Sequence, residues 1–476
     1  MNLNIHRDIG PVSDVPGIWK TRNSEDIRGS LWILFKRLNH VQMLVLGYLL
    51  IVVIFTCLLM LPVSSAQNTS QSFIDALFVA ASGISTTGLT PVDIGSYYSL
   101  FGQSILMLDF QIGGIGYMAV YIFLFYLLRK RATQTTKIIA KESMAGVEIG
   151  NSSSFFLKVI LFTLFFEIGG GIILCLFWMK QFPLVKSMFW GLFHSIAAFC
   201  TAGFGLLPDS LMSYKKSLLV NLTINAISLA GGIGFFVLNE FFILMPVNLF
   251  HRKRIRFSIH SRLALFVTLG LVIFGTGFLF FAGDRSPSSS VSERLMDASF
   301  QTISASTTDG FNTIDIGSLT PACLVIIMLL MFVGASPGST GGGIKTTTLG
   351  VIILSVRSQL CGHTDTNCLR RRISHEVTRK SFSIFILFIG VIMVDLLILC
   401  ITEKAAFMQI LFEIVSALGN TGLSMGITSH LSDVGKFVLS ITMFIGRVGP
   451  LTIGMALIGR LNQLSFKYPD ETLHVG

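Results

Sequence analysis

Four short polar loops, each ending in glycine, contain the residues of this chain that could bind an ion. Their sequences are Thr86-Thr87-Gly88, Thr201-Ala202-Gly203, Thr308-Asp309-Gly310 and Asn420-Thr421-Gly422. Glycine adopts backbone angles that can point successive carbonyl oxygens in one direction. Rings of carbonyl oxygens replace the water shell of a dehydrated monovalent cation. The side chains of the residues that begin the loops could add oxygens or brace the backbone. Together, the loops indicate a path for a monovalent cation.

The loops belong to a fourfold internal repeat. Their glycines are 115, 107 and 112 residues apart (203 − 88, 310 − 203 and 422 − 310). Six and five residues before each glycine lie two small side chains, and ten residues before it lies one of the phenylalanines Phe78, Phe193, Phe300 and Phe412. Four matching units predict a pore built from one polypeptide. The alternative, four unrelated glycine turns at a membrane surface, does not account for the matched positions.

The composition is that of an integral membrane protein. Of the 476 residues, 52% are hydrophobic and only 13% are charged, and the mean hydropathy is +0.73. Soluble domains contain about 25% charged residues. Mostly apolar windows of about 20 residues, long enough to cross a ~30 Å hydrocarbon core, begin near Val41, Phe101, Phe155, Ser217, Leu263, Pro321, Phe382 and Lys436. The sequence therefore predicts an all-α protein with eight transmembrane helices.

A shorter apolar segment precedes each glycine loop, at 71–84, 186–199, 293–306 and 404–418. A segment of about 14 residues forms ~21 Å of helix, which is too short to cross the membrane. Irregular backbone at membrane depth is tolerated where it lines a watery cavity. We therefore predict four re-entrant pore helices around a central ion pore, each directing its negative C-terminal end towards the pore.

The predicted organisation is four repeats of helix, pore loop and helix between two cytoplasmic ends. These parts are an N-terminal segment 1–40, repeat 1 at 41–128, repeat 2 at 155–245, repeat 3 at 262–356, repeat 4 at 382–459 and a tail 460–476.

The basic residues predict the orientation of the chain in the membrane. The net charge is +10, and most of the 35 Lys and Arg fall in the two ends and in the predicted loops 128–158, 250–262 and 351–380, all on one side. Basic residues favour the cytoplasmic side, so both termini are predicted to be cytoplasmic. The charge indicates topology and contact with anionic membrane lipids, and no nucleic-acid partner is expected.

A glycine-rich segment interrupts the predicted inner helix of repeat 3. It contains Gly334, Ser336, Pro337, Gly338, Ser339, Thr340, Gly341, Gly342, Gly343 and Lys345. Proline and glycine break the helical hydrogen-bond ladder and leave irregular backbone within the membrane. This is expected to be the one broken inner helix. A phosphate-binding loop is the alternative, but the lysine comes one residue late and the setting is a membrane helix.

Arg447 lies within the last predicted span, where the inner helices of repeats 1 and 2 carry Gly114 and Gly232. Arginine inside a span is costly and is a functional candidate by default. A structural arginine paired with a carboxylate or a helix C-terminus is the alternative, and both interpretations can hold together.

From about residue 41 to 459, the loops, the glycine-rich segment and the span arginine resemble the membrane subunits of the Ktr/Trk/HKT superfamily of potassium transporters, the Ktr type in particular. The resemblance implies that the four glycine loops form a K⁺ selectivity filter. It also implies that residues 334–345 form a gate below the filter, with Arg447 projecting towards the pore as an electrostatic barrier. Asp309 departs from the family pattern, which more often has a small neutral residue; its carboxylate could raise cation affinity or face a supporting network.

The resemblance further implies K⁺ uptake into a bacterial cytoplasm across the inner membrane. It implies a homodimer, a separate RCK-type nucleotide-binding ring on the basic cytoplasmic face, and a Na⁺ dependence that the residues themselves do not reveal. Neither an organic cofactor nor an enzymatic activity is expected, because nothing resembles a nucleophile–base pair. A carrier with discontinuous helices would instead predict two inverted halves. A non-transporting scaffold or enzyme subunit is disfavoured by the absence of catalytic clusters.

Overall fold

The computed structural model describes residues 40–116, 152–250, 257–283 and 290–458. Within these ranges the chain is helical apart from connecting loops and one two-stranded hairpin, in which Asn367–Cys368 pairs antiparallel with Arg371–Arg372. The helices are α1 (His40–Leu59), α2 (Phe73–Ile84), α3 (Ile94–Tyr97), α4 (Leu100–Ile115), α5 (Ser152–Trp178), α6 (Leu184–Phe199), α7 (Leu218–Ile233), α8 (Phe235–Phe250), α9 (Ile259–Ala282), α10 (Val291–Thr307), α11 (Pro321–Val333), α12 (Thr346–Leu360), α13 (His375–Thr402), α14 (Phe407–Gly419), α15 (Asp433–Val448) and α16 (Pro450–Ile458).

Four helices in the described ranges are individually long and apolar enough to cross a membrane: Val41–Leu59, Leu157–Trp178, Ile259–Ala282 and His375–Thr402. Two bent pairs, α7 with α8 and α15 with α16, raise the number of spans to six if each pair is one span. The predicted third inner span is divided between α11 and α12, and the predicted span at 101–128 continues beyond the described residues.

The prediction that only repeat 3 has a broken inner helix was wrong. The chain bends by 100° between α7 and α8 and by 96° between α15 and α16. The breaks fall at Gly234 and Gly449, whose φ angles are +99° and +91°, and Gly116 ends α4 at +86°. A glycine inside a helix costs only about 1 kcal/mol relative to alanine, so local propensity alone did not predict these breaks.

The break at Gly234 is stabilised by a distant part of the chain. The amide of Phe235 donates a hydrogen bond of 2.8 Å to the carbonyl of Gly338, in the glycine-rich segment. A Cβ atom on Gly234 would lie 2.7 Å from the carbonyl oxygen of Pro337. Tertiary contact therefore satisfies backbone groups that a continuous helix would have paired internally.

The four short helices α2, α6, α10 and α14 each lead directly into a glycine loop. The repeated phenylalanines Phe78, Phe193, Phe300 and Phe412 are fully buried in them. The Ser72 side chain caps α2 by accepting from the amide of Asp75, and Ser290 forms a capping box with Glu293 at the start of α10. Such caps satisfy amides that have no partner inside the helix, which fixes where two of the short helices begin.

Two ion pairs join a short helix to the inner helix of the preceding repeat. Lys436, in the first turn of α15, lies 2.7 Å from Asp75 in the first turn of α2. Lys216, just before α7, lies 3.2 Å from Glu293 in α10. The first pair connects the last repeat to the first. Both pairs place a carboxylate at a helix N-terminus, where the helix dipole favours it.

Candidate functional site

The four glycine loops contact one another in a closed cycle. Each glycine abuts the carbonyl oxygen that precedes the glycine of the next loop. A Cβ atom on the glycine would lie 2.4, 2.5, 2.2 and 2.0 Å from that oxygen in the pairs Gly88–Ala202, Gly203–Asp309, Gly310–Thr421 and Gly422–Thr87. Because real Cβ contacts are much longer, a side chain at any of these positions would push the neighbouring backbone away. The loops therefore form a ring that only glycine can close this tightly.

All four loops have the same backbone form. The first residues, Thr86, Thr201, Thr308 and Asn420, have φ angles of +55°, +51°, +59° and +52°, and the glycines are also positive, at +94°, +65°, +88° and +88°. In each loop the residue before the glycine donates its amide to a carbonyl of the last helical turn, at 2.8, 2.8, 2.8 and 2.9 Å. The left-handed residue turns the chain out of the helix, so that the amide of the next residue satisfies a terminal carbonyl.

The small residues of the repeat brace the loops from behind. The hydroxyl oxygens of Ser82 and Ser416 accept hydrogen bonds of 3.0 Å from the amides of Gly88 and Gly422. Their counterpart in repeat 3, Ser304, donates a hydrogen bond of 2.6 Å to the carbonyl of Phe311. The small side chains seen in the sequence thus let the loop approach its helix closely. In three of the four repeats, a serine of the small pair also forms a hydrogen bond to the backbone at or just after the loop glycine.

A side chain also connects loop 4 to loop 1. The amide of Asn420 donates to the Thr87 hydroxyl at 3.0 Å and to the carbonyl of Met443 at 2.8 Å. Asn420 and Thr87 are far apart in sequence and both fully buried. The contact supplies a polar partner for each group, which a buried amide and hydroxyl require.

On one side of the ring, the four glycines line a common cavity of about 370 Å³. The segments that leave the loops form its walls, including Asp93, Asp315, Ser424 and Thr428. The cavity has room for several waters, and its lining offers carboxylate, hydroxyl and carbonyl oxygens.

On the other side of the ring lies the glycine-rich segment, and Thr340 makes its central contacts. The Thr340 hydroxyl donates to the carbonyl of Phe199 at 2.9 Å and accepts from the Thr201 hydroxyl at 3.3 Å. Its carbonyl accepts from the Thr86 hydroxyl at 3.2 Å. The segment thereby bonds to the first residues of loops 1 and 2.

Gly342 makes the equivalent contacts with loops 3 and 4. Its amide donates to the Thr308 hydroxyl at 3.1 Å. A Cβ atom on Gly342 would lie 2.4 Å from the side-chain oxygen of Asn420. The segment thus contacts the first residue of every loop, and the absence of a side chain at Gly342 permits the approach.

The remainder of the segment is held by its own hydrogen bonds and by α7. The Lys345 ammonium donates to the carbonyl of Gly341 at 2.7 Å. The amide of Ser336 donates to the carbonyl of Gly232 at 3.0 Å, and the Ser339 hydroxyl bonds to the carbonyl of Ser336 at 2.5 Å. The segment also turns at three glycines with positive φ: Gly334, Gly338 and Gly343. The segment therefore has a defined, hydrogen-bonded conformation.

Arg447 joins the end of α4 to the glycine-rich segment. One guanidinium nitrogen donates to the carbonyl of Thr340 and to the Thr86 hydroxyl at 3.2 Å. The other donates to the carbonyl of Gly113 and to that of Gly114 at 3.3 Å. No carboxylate in the described part of the chain pairs with it, so its charge is held by carbonyl dipoles at a helix C-terminus.

Asp309 faces a neighbouring helix. Its carboxylate accepts a hydrogen bond of 2.6 Å from the Ser228 hydroxyl on α7, and only 1% of the residue is exposed. The sequence left two roles open for Asp309, raising cation affinity or facing a supporting network, and this contact fits the supporting network.

Sequence reasoning did not recognise the polar residues directly after the repeated phenylalanines as one shared position. Alignment of the repeats on their glycines would have revealed them, because His194, Gln301 and Glu413 occupy the position where repeat 1 has Val79. Two of them bond to the segments that leave the loops.

The chain is similar to known cation transport proteins. The TrkH family, described as cation transport proteins, matches residues 27–464. The Ktr system potassium uptake protein B of Bacillus subtilis (strain 168) is 36% identical over 444 residues, covering 92% of this chain and 97% of that protein. The potassium/sodium uptake protein NtpJ of Enterococcus hirae is 31% identical over 451 residues, covering 93% and 98%.

The crystal structure of the potassium transporter TrkH from Vibrio parahaemolyticus has a similar fold, with a TM-score of 0.66. The match covers 86% of this chain and 84% of that one, and the two sequences are 20% identical. The matched family consists of transporters rather than enzymes. Together with the apolar helices, the match identifies a multi-pass membrane protein. The resemblance inferred from the glycine loops is confirmed: this chain belongs to the TrkH family of cation transport proteins.

Proposed function

We propose that this protein mediates potassium uptake through a pore formed by its four repeats, with the twelve residues of the glycine loops as the selectivity filter. The closed cycle of contacts among Gly88, Gly203, Gly310 and Gly422 carries the proposal. A tight ring of backbone can supply carbonyl oxygens to a dehydrated cation. The names of the relatives from B. subtilis and E. hirae support K⁺ as that cation.

The repeats in this proposal are those predicted from the sequence, with eight spans and four re-entrant helices. The four short helices and the loops that follow them support this organisation. The protein would lie in the inner membrane of a bacterium with both termini in the cytoplasm, where its basic residues would face anionic lipid.

Residues 334–345 and Arg447 form the gate in this proposal. Thr340 and Gly342 bond directly to the filter threonines, so an ion leaving the filter would meet this segment. Arg447 holds the carbonyl of Thr340 and adds a positive charge that repels cations. Opening would require these bonds to break.

The proposed assembly is a homodimer with a cytoplasmic nucleotide-binding ring as its regulatory partner. The word "system" in the name of the B. subtilis relative supports a second component. A sodium dependence is part of the proposal as well, supported by the name of the E. hirae relative.

Growth and uptake in a bacterium that lacks its own K⁺ uptake systems test this function. The chain is expressed alone and together with the cytoplasmic subunit of a Ktr system. We expect growth at limiting K⁺ and saturable Rb⁺ uptake, stronger with the subunit present. If the chain reaches the membrane and yields neither growth nor uptake in either case, the proposed function is wrong.

A further inference from the structure

One residue position directly follows each repeated phenylalanine in the short helices that lead into the glycine loops. Its occupants, Val79, His194, Gln301 and Glu413, are all fully buried. Three of the four are polar. Because a buried polar group is costly without a hydrogen bond, the partners of these side chains indicate what the position does.

His194 holds the segment that leaves loop 2. Its Nε2 accepts a hydrogen bond of 3.3 Å from the amide of Leu206, three residues beyond Gly203. Its Nδ1 lies 2.8 Å from the carbonyl of Trp190. An accepting Nε2 leaves Nδ1 as the donor, so the imidazole is the neutral tautomer with its proton on Nδ1.

The same imidazole contacts loop 3. Its ring is stacked on that of Phe311, with centroids 6.1 Å apart and an interplanar angle of 26°. Phe311 directly follows Gly310. One side chain therefore contacts the outgoing segments of two neighbouring loops, beside the contact between Gly203 and the backbone of Asp309.

Glu413 does the equivalent for loop 4. Its carboxylate accepts hydrogen bonds from the hydroxyl of Ser424 and, at 3.0 Å, from that of Thr428. Both hydroxyl residues follow Gly422 in the chain and line the cavity above the ring. His194 and Glu413, which occupy the same position in repeats 2 and 4, thus each hold the segment that leaves their own glycine loop.

We infer that His194 and Glu413 are positioning residues that set the spacing of the glycine ring, and hence its discrimination between K⁺ and Na⁺. The inference rests on the proposed role of the ring as the filter. Leu206 is 5% exposed, so its amide has little water to replace the imidazole, and a segment that lost this bond would rearrange to find another acceptor. Because each loop glycine abuts the carbonyl of the next loop, such a shift moves the carbonyl oxygens of the ring.

Three substitutions separate this role from simple packing. His194→Phe keeps a ring for stacking on Phe311 and removes the acceptor, whereas His194→Gln offers an amide oxygen in place of Nε2. Gln301→Met is the matched control: it lies at the same position, and its amide has no hydrogen-bond partner among the described residues. The readout is the concentration of Na⁺ that halves Rb⁺ uptake, divided by the concentration of K⁺ that does so.

We expect this ratio to fall roughly fivefold in His194→Phe, the factor that corresponds to a hydrogen bond of about 1 kcal/mol. It should stay within about twofold of the parent in His194→Gln, because an acceptor is restored. The Gln301→Met control should leave the ratio unchanged. An unchanged ratio in His194→Phe, or an equal loss in His194→Gln and His194→Phe, overturns the inference while uptake by the parent protein leaves the proposed function intact.

Thr428→Val provides a second route if His194→Phe fails to accumulate in the membrane. The substitution removes a donor to Glu413 and nearly conserves volume. A lowered ratio at normal membrane abundance supports the role of Glu413, and an unchanged ratio contradicts it. A parent protein that transports no Rb⁺ would overturn the proposed function, and this inference with it.

Discussion

Lys436 lies 2.7 Å from Asp75, and this ion pair joins the inner helix of repeat 4 to the short helix of repeat 1. The side chains are 11% and 25% exposed, and Asp75 also accepts a hydrogen bond from Ser72 at 2.8 Å. The residues are 361 positions apart in sequence. The pair therefore connects the two ends of the repeat array and anchors the N-terminal turn of α2, the helix that leads into loop 1.

We predict that Asp75→Asn lowers the stability of the protein by about 1–3 kcal/mol, since it leaves a largely buried ammonium without its counter-charge. Thermal unfolding of the purified protein in detergent measures the loss. Glu293→Gln is the matched control, because its partner Lys216 is 74% exposed and solvent screens an exposed ion pair, so its loss should cost much less stability. Equal losses in the two variants would contradict the structural role assigned to Asp75.

Gly88→Ser is predicted to weaken discrimination between K⁺ and Na⁺. The new Cβ would lie 2.4 Å from the carbonyl oxygen of Ala202, at a φ of +94° that L residues rarely adopt. The ring must open, and the carbonyl oxygens move apart. Competition of Na⁺ with Rb⁺ uptake measures the change, for which we expect roughly tenfold, or about 1.4 kcal/mol.

Gly277→Ser is the control for that substitution. Gly277 lies in α9 with nothing within 4 Å of an added Cβ. We expect normal selectivity in this variant. A normal ratio in Gly88→Ser would remove the first loop from the proposed filter.

Removal of contacts between the glycine-rich segment and the ring is predicted to raise flux. Thr340→Val deletes the hydroxyl that bonds to Phe199 and Thr201. Loss of about 1 kcal/mol from the closed state would shift a two-state gate roughly fivefold towards opening. The maximal rate of Rb⁺ uptake is the measurement, and deletion of 338–343 should raise it further. Thr347→Val, in α12, is the control and should leave the rate unchanged. If Thr340→Val gave the same rate as this control, the gating role of the glycine-rich segment would be contradicted.

Arg447→Gln is predicted to raise the maximal uptake rate as well. The substitution removes the positive charge beside the segment and at least two of the four hydrogen bonds to Thr340, Thr86, Gly113 and Gly114. Arg447→Lys keeps the charge but cannot reach carbonyls on both sides with a planar fork. A rate for Arg447→Lys between those of the parent and Arg447→Gln would show that the positive charge and the bridging hydrogen bonds each slow uptake. A rate for Arg447→Gln at or below that of the parent would leave only the structural role.

The repeated features of this chain were predictable because they are local. Hydrophobic run length, the phenylalanine ten residues before each glycine and the small pair between them are properties of neighbouring residues. They indicated where the short helices α2, α6, α10 and α14 lie, because helix formation and termination are decided within a few residues. The family was recognisable for the same reason.

Partners that lie hundreds of residues apart had no local signal. Arg447 and Asp309 were visible as unusual charges, but their bonds to Thr340 and Ser228 depend on how the helices pack. The breaks at Gly234 and Gly449 were missed because glycine is tolerated inside helices, and a break becomes favourable only when other backbone satisfies the freed groups.

By itself, the sequence determined that the chain enters the membrane repeatedly and that four glycine loops recur in register, since both follow from hydrophobicity and spacing along the chain. Tertiary structure alone decided that each glycine closes on the next loop, that Thr340 and Gly342 bond to the first residues of the ring, and that His194 and Glu413 hold its outgoing segments. Buried polar groups must find partners wherever packing brings them, and packing is a property of the whole chain.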